Sequence, residues 1–162
     1  MIQQGRFTAK HEGDIVVFLI GIRINNWLQF REWLPVFQAM QPMIEYLYQH
    51  PERGFLSVET LLSPNFRQVT MIQYWRSHQD LERFARQDPS LHPEAWKNFF
   101  KYAYRSQSVG IWHETYQVKA GAFETIYGNM PLYGLAKASQ AVPVQGKLET
   151  MRGRLDQTDA SV

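Results

Sequence analysis

Residues 14–24, DIVVFLIGIRI, constrain the fold more than any other stretch of this chain. In an extended strand alternate side chains face opposite ways. Val16, Phe18, Ile20, Ile22 and Ile24 then make one fully apolar face, and Ile15, Val17 and Leu19 make the other nearly so before Arg23 interrupts it. Such a strand needs cover on both faces, so it belongs in the middle of a sheet with a layer on either side.

The chain has 162 residues, enough for one domain with a sizeable core and too few for two. A hydrophobic share of 44% and an aromatic share of 14% supply that core, and 20% charged residues do not suggest disorder. The net charge is +2 and the 17 Lys and Arg are scattered, which leaves no electrostatic footprint for nucleic acid. No apolar stretch approaches the roughly 18 residues of a membrane span. The start, MIQQGRFTAKHEGD, has no apolar signal core, and cysteine is absent. The expectation is a cytoplasmic protein with no disulfide, thiolate chemistry or cysteine metal site.

Between residues 26 and 48, Trp33, Phe37, Met40, Ile44 and Leu47 recur at helical spacing, with Pro35 and Pro42 placed to start, bend or break the helix. This predicts a short helical entry, then a helix from near Pro35 kinked near Pro42. Residues 54–62 and 66–75 read as two antiparallel strands around Ser63, Pro64 and Asn65. Ser77 and Asp80 resemble a capping box opening a helix over 79–87, and Pro93 suits the first position of another helix carrying Trp96, Phe99, Phe100 and Ala103. A strand over 109–118 follows, then a return strand over 122–127 across a turn at Ala120 and Gly121. Residues 1–138 form the domain, and the Ala, Gln, Gly, Thr, Asp and Ser of residues 139–162 read as a mobile tail.

Strand, helix, two strands, helices, strand is the order of a split βαβ, ferredoxin-like α+β domain with an antiparallel sheet and helices on one side. The other side, with Ile15, Val17, Leu19, Phe55, Leu61 and Ile72, is too apolar to stay bare, and a second copy of the chain would cover it. That face also carries Arg23, Glu59 and Tyr74.

The runs VVFLIGIRIN, MIQYWRS, GIWHETY and GAFETIYGNMP resemble a bacterial and fungal family grouped with monooxygenases of the dimeric α+β barrel type, over roughly residues 5–138. The resemblance implies a homodimer and a barrel architecture that elsewhere hosts cofactor-independent oxygenases, haem enzymes and binding proteins. It assigns no catalytic residue, so roles have to come from the residues themselves.

The segment from Gly110 to Leu135 sets His113, Glu114 and Glu124 among aromatic rings. A cofactor-free oxygenase needs a base, a stabiliser for the anion it makes and a dry pocket. His113 suits the base, since imidazole titrates near neutrality; the competing reading is a structural histidine tied to a carbonyl or to Glu124. Glu114 is an orienting carboxylate, a base, or the partner of Arg23 or Arg76. Arg23 suits an anion stabiliser, or is a solvated strand-end cation. Tyr74, Trp75, Trp112, Tyr116 and Tyr127, with Glu59, are candidates to hold a small flat organic substrate, although most aromatics on half-buried strands are core. Asn129, Met130 and Pro131 suit a lid or a plain turn. The expected cofactor is none, with haem on His113 or His92 as the alternative, and the five histidines show no metal-ligand spacing. The remaining classes are a small-molecule monooxygenase, a haem dehydratase or haem-degrading enzyme, and a non-catalytic ligand-binding dimer.

Overall fold

The doubly apolar strand is central, and it is covered on both faces by different parts of the same chain. In chain order the computed structural model contains β1 (Gln3–Lys10), β2 (Ile15–Ile24), α1 (Phe30–Gln38), α2 (Met40–Gln49), β3 (Phe55–Leu62), β4 (Gln68–Trp75), α3 (His78–Gln87), β5 (Val109–Val118), β6 (Tyr127–Met130), α4 (Leu135–Ala138), β7 (Gln140–Pro143) and α5 (Met151–Asp156). Residues 1–87, 104–105 and 107–156 are described; the expected helix at Pro93 and His92 lie outside them.

β2 pairs antiparallel with β4 on one side and β5 on the other, and β3 closes the far edge to give the order β3-β4-β2-β5. With two helices between β2 and β3 and α3 between β4 and β5, this is the ferredoxin-like split βαβ, an α+β fold with an antiparallel sheet. The register fixes the faces. Val16, Phe18, Ile20 and Ile22 look toward the helices and pack with Val36, Met40, Leu47, Val58, Met71, Trp75 and Phe84. Ile15 looks the other way and packs with Phe7, Ala9, Leu135 and Ala136.

That second cluster exists because β1, β6 and β7 form a small antiparallel sheet, ordered β6-β1-β7. It lies against the end of the main sheet that carries Ile15, Tyr74 and Val118. The chain therefore covers part of the face expected to meet a second copy. Phe55 belongs to the helix side, because an irregularity in the β3–β4 register between Phe55 and Ser57 shifts the alternation. Val17, Leu19 and Ile72 stay only half-buried, and Leu61 and Tyr116 are exposed.

Three further expectations change. The helix breaks at Ala39, between the prolines: Pro35 lies inside α1, and Pro42 falls in the first turn of α2, where a missing N–H costs little. No strand returns along β5. Gly121, at φ 75°, turns the chain away, and β6 forms one step later against β1. The stretch from Ser139 is not a loose tail through Asp156, because β7 pairs with β1 and Arg154 of α5 is buried. Polar composition misled there: β7 needs only backbone pairing, and Arg154 is neutralised by a carboxylate from another segment.

Candidate functional site

β5 alternates as its sequence predicts, so His113 shares a face with Ile111 and Thr115, and that face points to the helices. Two rows of residues cross the sheet here. Gln73, Phe18 and Thr115 form one, and Met71, Ile20 and His113 form the next. Above them α3 presents His78, Glu82 and Arg86, four residues apart and so on one helix stripe, with Leu81 and Ala85 beside it.

Between sheet and helix lies a cavity of about 360 Å³. Phe18, Ile20 and Ile111 line its sheet side, and Leu81 and Ala85 its helix side; His113, Thr115, His78, Glu82, Arg86 and Tyr104 bring polar groups to the same space. The His113 ring lies 5.7 Å from the Phe18 ring at 45°. Neither of its ring nitrogens meets a hydrogen-bond partner among the described residues, so it is not a histidine tied to a carbonyl or a carboxylate there. Glu82 is paired with Arg86 at 3.3 Å. Adjoining this cavity across Phe18 and Ile20 is a recess of about 30 Å³ beneath α2, lined by Met40, Met43, Met71 and Phe84. Apolar walls with a few convergent polar groups are the usual makeup of a small-molecule site.

Of the other expected site residues, Trp112 also contributes to the cavity lining, and the rest disperse. Glu114 falls on the opposite sheet face from His113 and accepts a 2.6 Å hydrogen bond from the Tyr116 hydroxyl, not from an arginine. That carboxylate also raises the pKa of the Tyr116 phenol above its ordinary value. Arg76 pairs instead with Asp80 at 2.9 Å. Glu124, expected to reach His113, is paired with Arg154 at 2.6 Å and does not line the cavity. Arg23 is exposed and shares the Glu114 face. The Trp112 indole lies against Gly21 on that same face, close enough that a Cβ there would come 2.6 Å from Nε1. Trp75 is fully buried core, its Nε1 donating to Gln73 Oε1 at 2.9 Å.

Tyr74, Tyr127 and Glu59 cluster around the turn before α4, away from the cavity. Glu59 accepts the Gly134 N–H at 3.0 Å and lies 3.5 Å from Lys137 Nζ, which itself donates to the Val58 carbonyl. A Cβ on Gly134 would sit 3.3 Å from both the Tyr74 and Tyr127 hydroxyls. Burial, reinforced by Tyr127, Glu59 and Tyr133, pushes the Tyr74 phenol up to about 12. Burial also raises Tyr127, whose ring stacks on Phe7 at 5.1 Å. These groups fasten a turn; Asn129 does likewise, its Oδ1 accepting the Gly5 N–H at 2.9 Å within the β1–β6 pair, so this segment is no lid.

Sequence reasoning placed His113 on the strand face that lines the cavity and did not anticipate the opposite wall. The signal was present in His78, Glu82 and Arg86, whose four-residue spacing marks one polar stripe on a helix otherwise anchored by Leu81 and Phe84. Among the described residues no cluster of His, Cys, Asp or Glu has the makings of a metal site. None of their helices is long and apolar enough to cross a membrane.

Comparison with known proteins bears on the fold and family. Monooxygenase af470 of Aspergillus fumigatus is 32% identical over 133 residues, 77% of this chain and 46% of that protein, so the chain spans less than half the length of this curated relative. Among solved structures, aldoxime dehydratase superposes with a TM-score of 0.61 over 97% of this chain and 45% of its own, at 16% identity, a likeness of fold alone. SnoaB, a cofactor-independent oxygenase from Streptomyces nogalater, aligns with a TM-score of 0.46 and 13% identity over 64% of this chain and 91% of its own. Residues 15–135 match the monooxygenase af470-like profile. That stretch runs from the first residue of β2 to the first of α4 and takes in the whole four-stranded sheet with its helices, and on this match the chain belongs to the monooxygenase af470-like family.

Proposed function

We propose that this chain is a small-molecule monooxygenase that works without a tightly bound cofactor, with His113 as its base. The observation that carries the reading is the position of the His113 imidazole, which enters the cavity beside Phe18 and meets no hydrogen-bond partner among the described residues. Membership of a monooxygenase family supports the reaction class.

In this scheme His113 takes a proton from an acidic O–H or C–H of an electron-rich substrate. The resulting anion gives electrons to dioxygen, carbon and oxygen join as a hydroperoxide, and loss of water leaves a new carbonyl. One oxygen atom enters the product, the other leaves as water, and the substrate supplies both electrons. Phe18, Ile20, Leu81 and Ile111 give the cavity apolar walls, but His113 and Thr115 are exposed at its open side, so the bound substrate itself must displace water from the imidazole. The whole runs as a homodimer, a second copy resting on the half-bare face of Val17, Leu19 and Ile72.

The test is oxygen uptake by purified protein over a panel of ionisable phenols and 1,3-dicarbonyl compounds, read together with its absorbance spectrum. Uptake by colourless protein, lost in His113→Gln, is the expected result. The same unpartnered imidazole would also serve as an axial ligand, so a preparation with a haem band that vanishes in His113→Gln replaces this reading with a haem enzyme. Saturable binding across the panel with no uptake leaves a ligand-binding dimer.

A further inference from the structure

Gln73 lies on β4, is 6% exposed, and lines the recess beneath α2. Its carboxamide orientation is set by its neighbour. An indole N–H can only donate, so the atom facing Trp75 Nε1 at 2.9 Å is the Gln73 oxygen. The nitrogen end then has two N–H donors, and they meet no acceptor among the described residues. That nitrogen is not sealed in the core: it keeps contact with the open space of the recess, where the acceptor of an incoming molecule can meet it.

The surroundings show what kind of molecule would supply the acceptor. Around Gln73 the recess is apolar, with Met40, Met43, Ile44, Met71 and Phe84 as neighbours. Methionine side chains are unbranched and flexible, so they accommodate an inserted apolar body. The recess shares Phe18 and Ile20 with the larger cavity. In the register, Phe18 separates Gln73 from Thr115, and His113 lies on the adjacent row of the same strand as Thr115. Adjacent strands are about 4.8 Å apart and two residues span about 6.8 Å along a strand, so Gln73 and His113 are anchored about 12 Å apart on the sheet.

We infer that Gln73 is a ligand-binding residue, and that this site takes an elongated molecule with an ionisable group at His113, an apolar body over Phe18 and Ile20, and a carbonyl-type oxygen about 12 Å away that accepts from Gln73 Nε2. The assignment of the ionisable end rests on the function proposed above; the assignment of the acceptor rests on Gln73 alone. Nothing in the oxygenase scheme requires the second anchor, which sets which molecules the site selects.

The test uses two probes of equal shape, 4-acetyl-4′-hydroxybiphenyl and 4-ethyl-4′-hydroxybiphenyl, titrated into the purified protein by calorimetry. Only the first has an acceptor at the far end. The wild-type protein is expected to bind the acetyl probe about five-fold more tightly, the order of one net hydrogen bond. Gln73→Met should bind both probes alike. Because that change also strips Trp75 of its acceptor, the double variant Gln73→Met with Trp75→Phe, in which neither partner is left alone, is measured beside it. Equal affinities in the wild type, no binding of either probe, or an acetyl preference that survives in the double variant overturns the inference. Oxygen uptake on the panel of phenols and dicarbonyls is read separately. An acetyl preference in a protein that consumes no oxygen retains Gln73 and removes the oxygenase, and uptake without the preference does the reverse.

Discussion

Arg154 donates from Nε to Glu124 Oε2 at 2.6 Å and from Nη1 to the carbonyls of Leu148 and Glu149 at 2.9 and 3.2 Å. The arginine side chain is 7% exposed and the glutamate 22%. A guanidinium that deep is stable only because a carboxylate and two carbonyls surround it. The pair ties α5 to the segment after β5 and so makes residues up to Asp156 part of the domain. Arg154→Ala leaves Glu124 without its partner and is expected to cost about 2 to 3 kcal/mol, less than for a fully buried pair because Glu124 keeps some contact with water. Urea unfolding checks it, and a chain cut after residue 139 that unfolds at the wild-type midpoint would show that the clamp and β7 contribute nothing.

His113→Gln separates a base from a structural histidine. With the ring against Phe18 and no hydrogen bond to lose among the described residues, the fold should tolerate the change within about 1 kcal/mol. Turnover of any substrate found on the panel should fall by about 10² to 10⁴. An unstable variant with wild-type activity per folded molecule would remove His113 from the mechanism.

Gly21 has a packing reason to be glycine. A methyl group there would approach the Trp112 indole to 2.6 Å, from the middle of the central strand. Trp112 would have to leave the sheet face. Gly21→Ala is expected to lose about 1 to 3 kcal/mol, as overpacking does, and to shift tryptophan emission to longer wavelength as the indole meets water. A variant as stable as wild type with unchanged emission would contradict the contact.

The tyrosine cluster gives an alkaline signature. Tyr74 is pushed up to about 12, chiefly by burial and then by Tyr127, Glu59 and Tyr133, whereas an unfolded tyrosine ionises near 10. A group whose folded pKa is raised favours folding below the unfolded value, and this contribution is lost as pH rises from about 10 toward 12. Stability should therefore decline across that window, less steeply in Tyr74→Phe. Parallel declines in the two proteins would show that Tyr74 titrates as though exposed.

What the sequence made legible follows from what is local. Alternation along β5 put His113 with Ile111 and Thr115, and the face of β2 that carries Phe18 and Ile20 is the floor of the same cavity. The capping box was also readable: Asp80 N donates to Ser77 Oγ at 3.1 Å, and Ser77 Oγ to Asp80 Oδ2 at 2.7 Å. Long-range pairing was not. β1, QQGRFTAK, buries only Phe7, Thr8 and Ala9, and its pairing with β6 and β7 joins opposite ends of the chain. Glu124 stood near His113 in sequence, yet its partner lies 30 residues on, in a segment whose composition suggested no structure. The expected apolar face was halved for the same reason, since nothing local in β1 shows that it will cover Ile15.

The remaining uncovered part of that face bears on assembly. Val17, Leu19 and Ile72 are half-buried in the single chain, and Leu61 and Tyr116 are 42% and 50% exposed around them. Burying a side chain of this kind fully is worth about 1.5 to 3 kcal/mol. Leu19 stands centrally, opposite Ile72 on β4 and Glu114 on β5. Leu19→Asp would place its carboxylate beside Glu114 in the proposed contact, adding charge repulsion to lost apolar burial. Light scattering should give a dimer for the wild type at micromolar concentration and a monomer for Leu19→Asp, with the far-ultraviolet circular dichroism of both alike. A wild-type monomer at that concentration removes the assembly and leaves the cavity beside His113 as a property of one chain. A dimer that survives Leu19→Asp moves the contact elsewhere, since a buried carboxylate pair at the centre of the interface would not be tolerated.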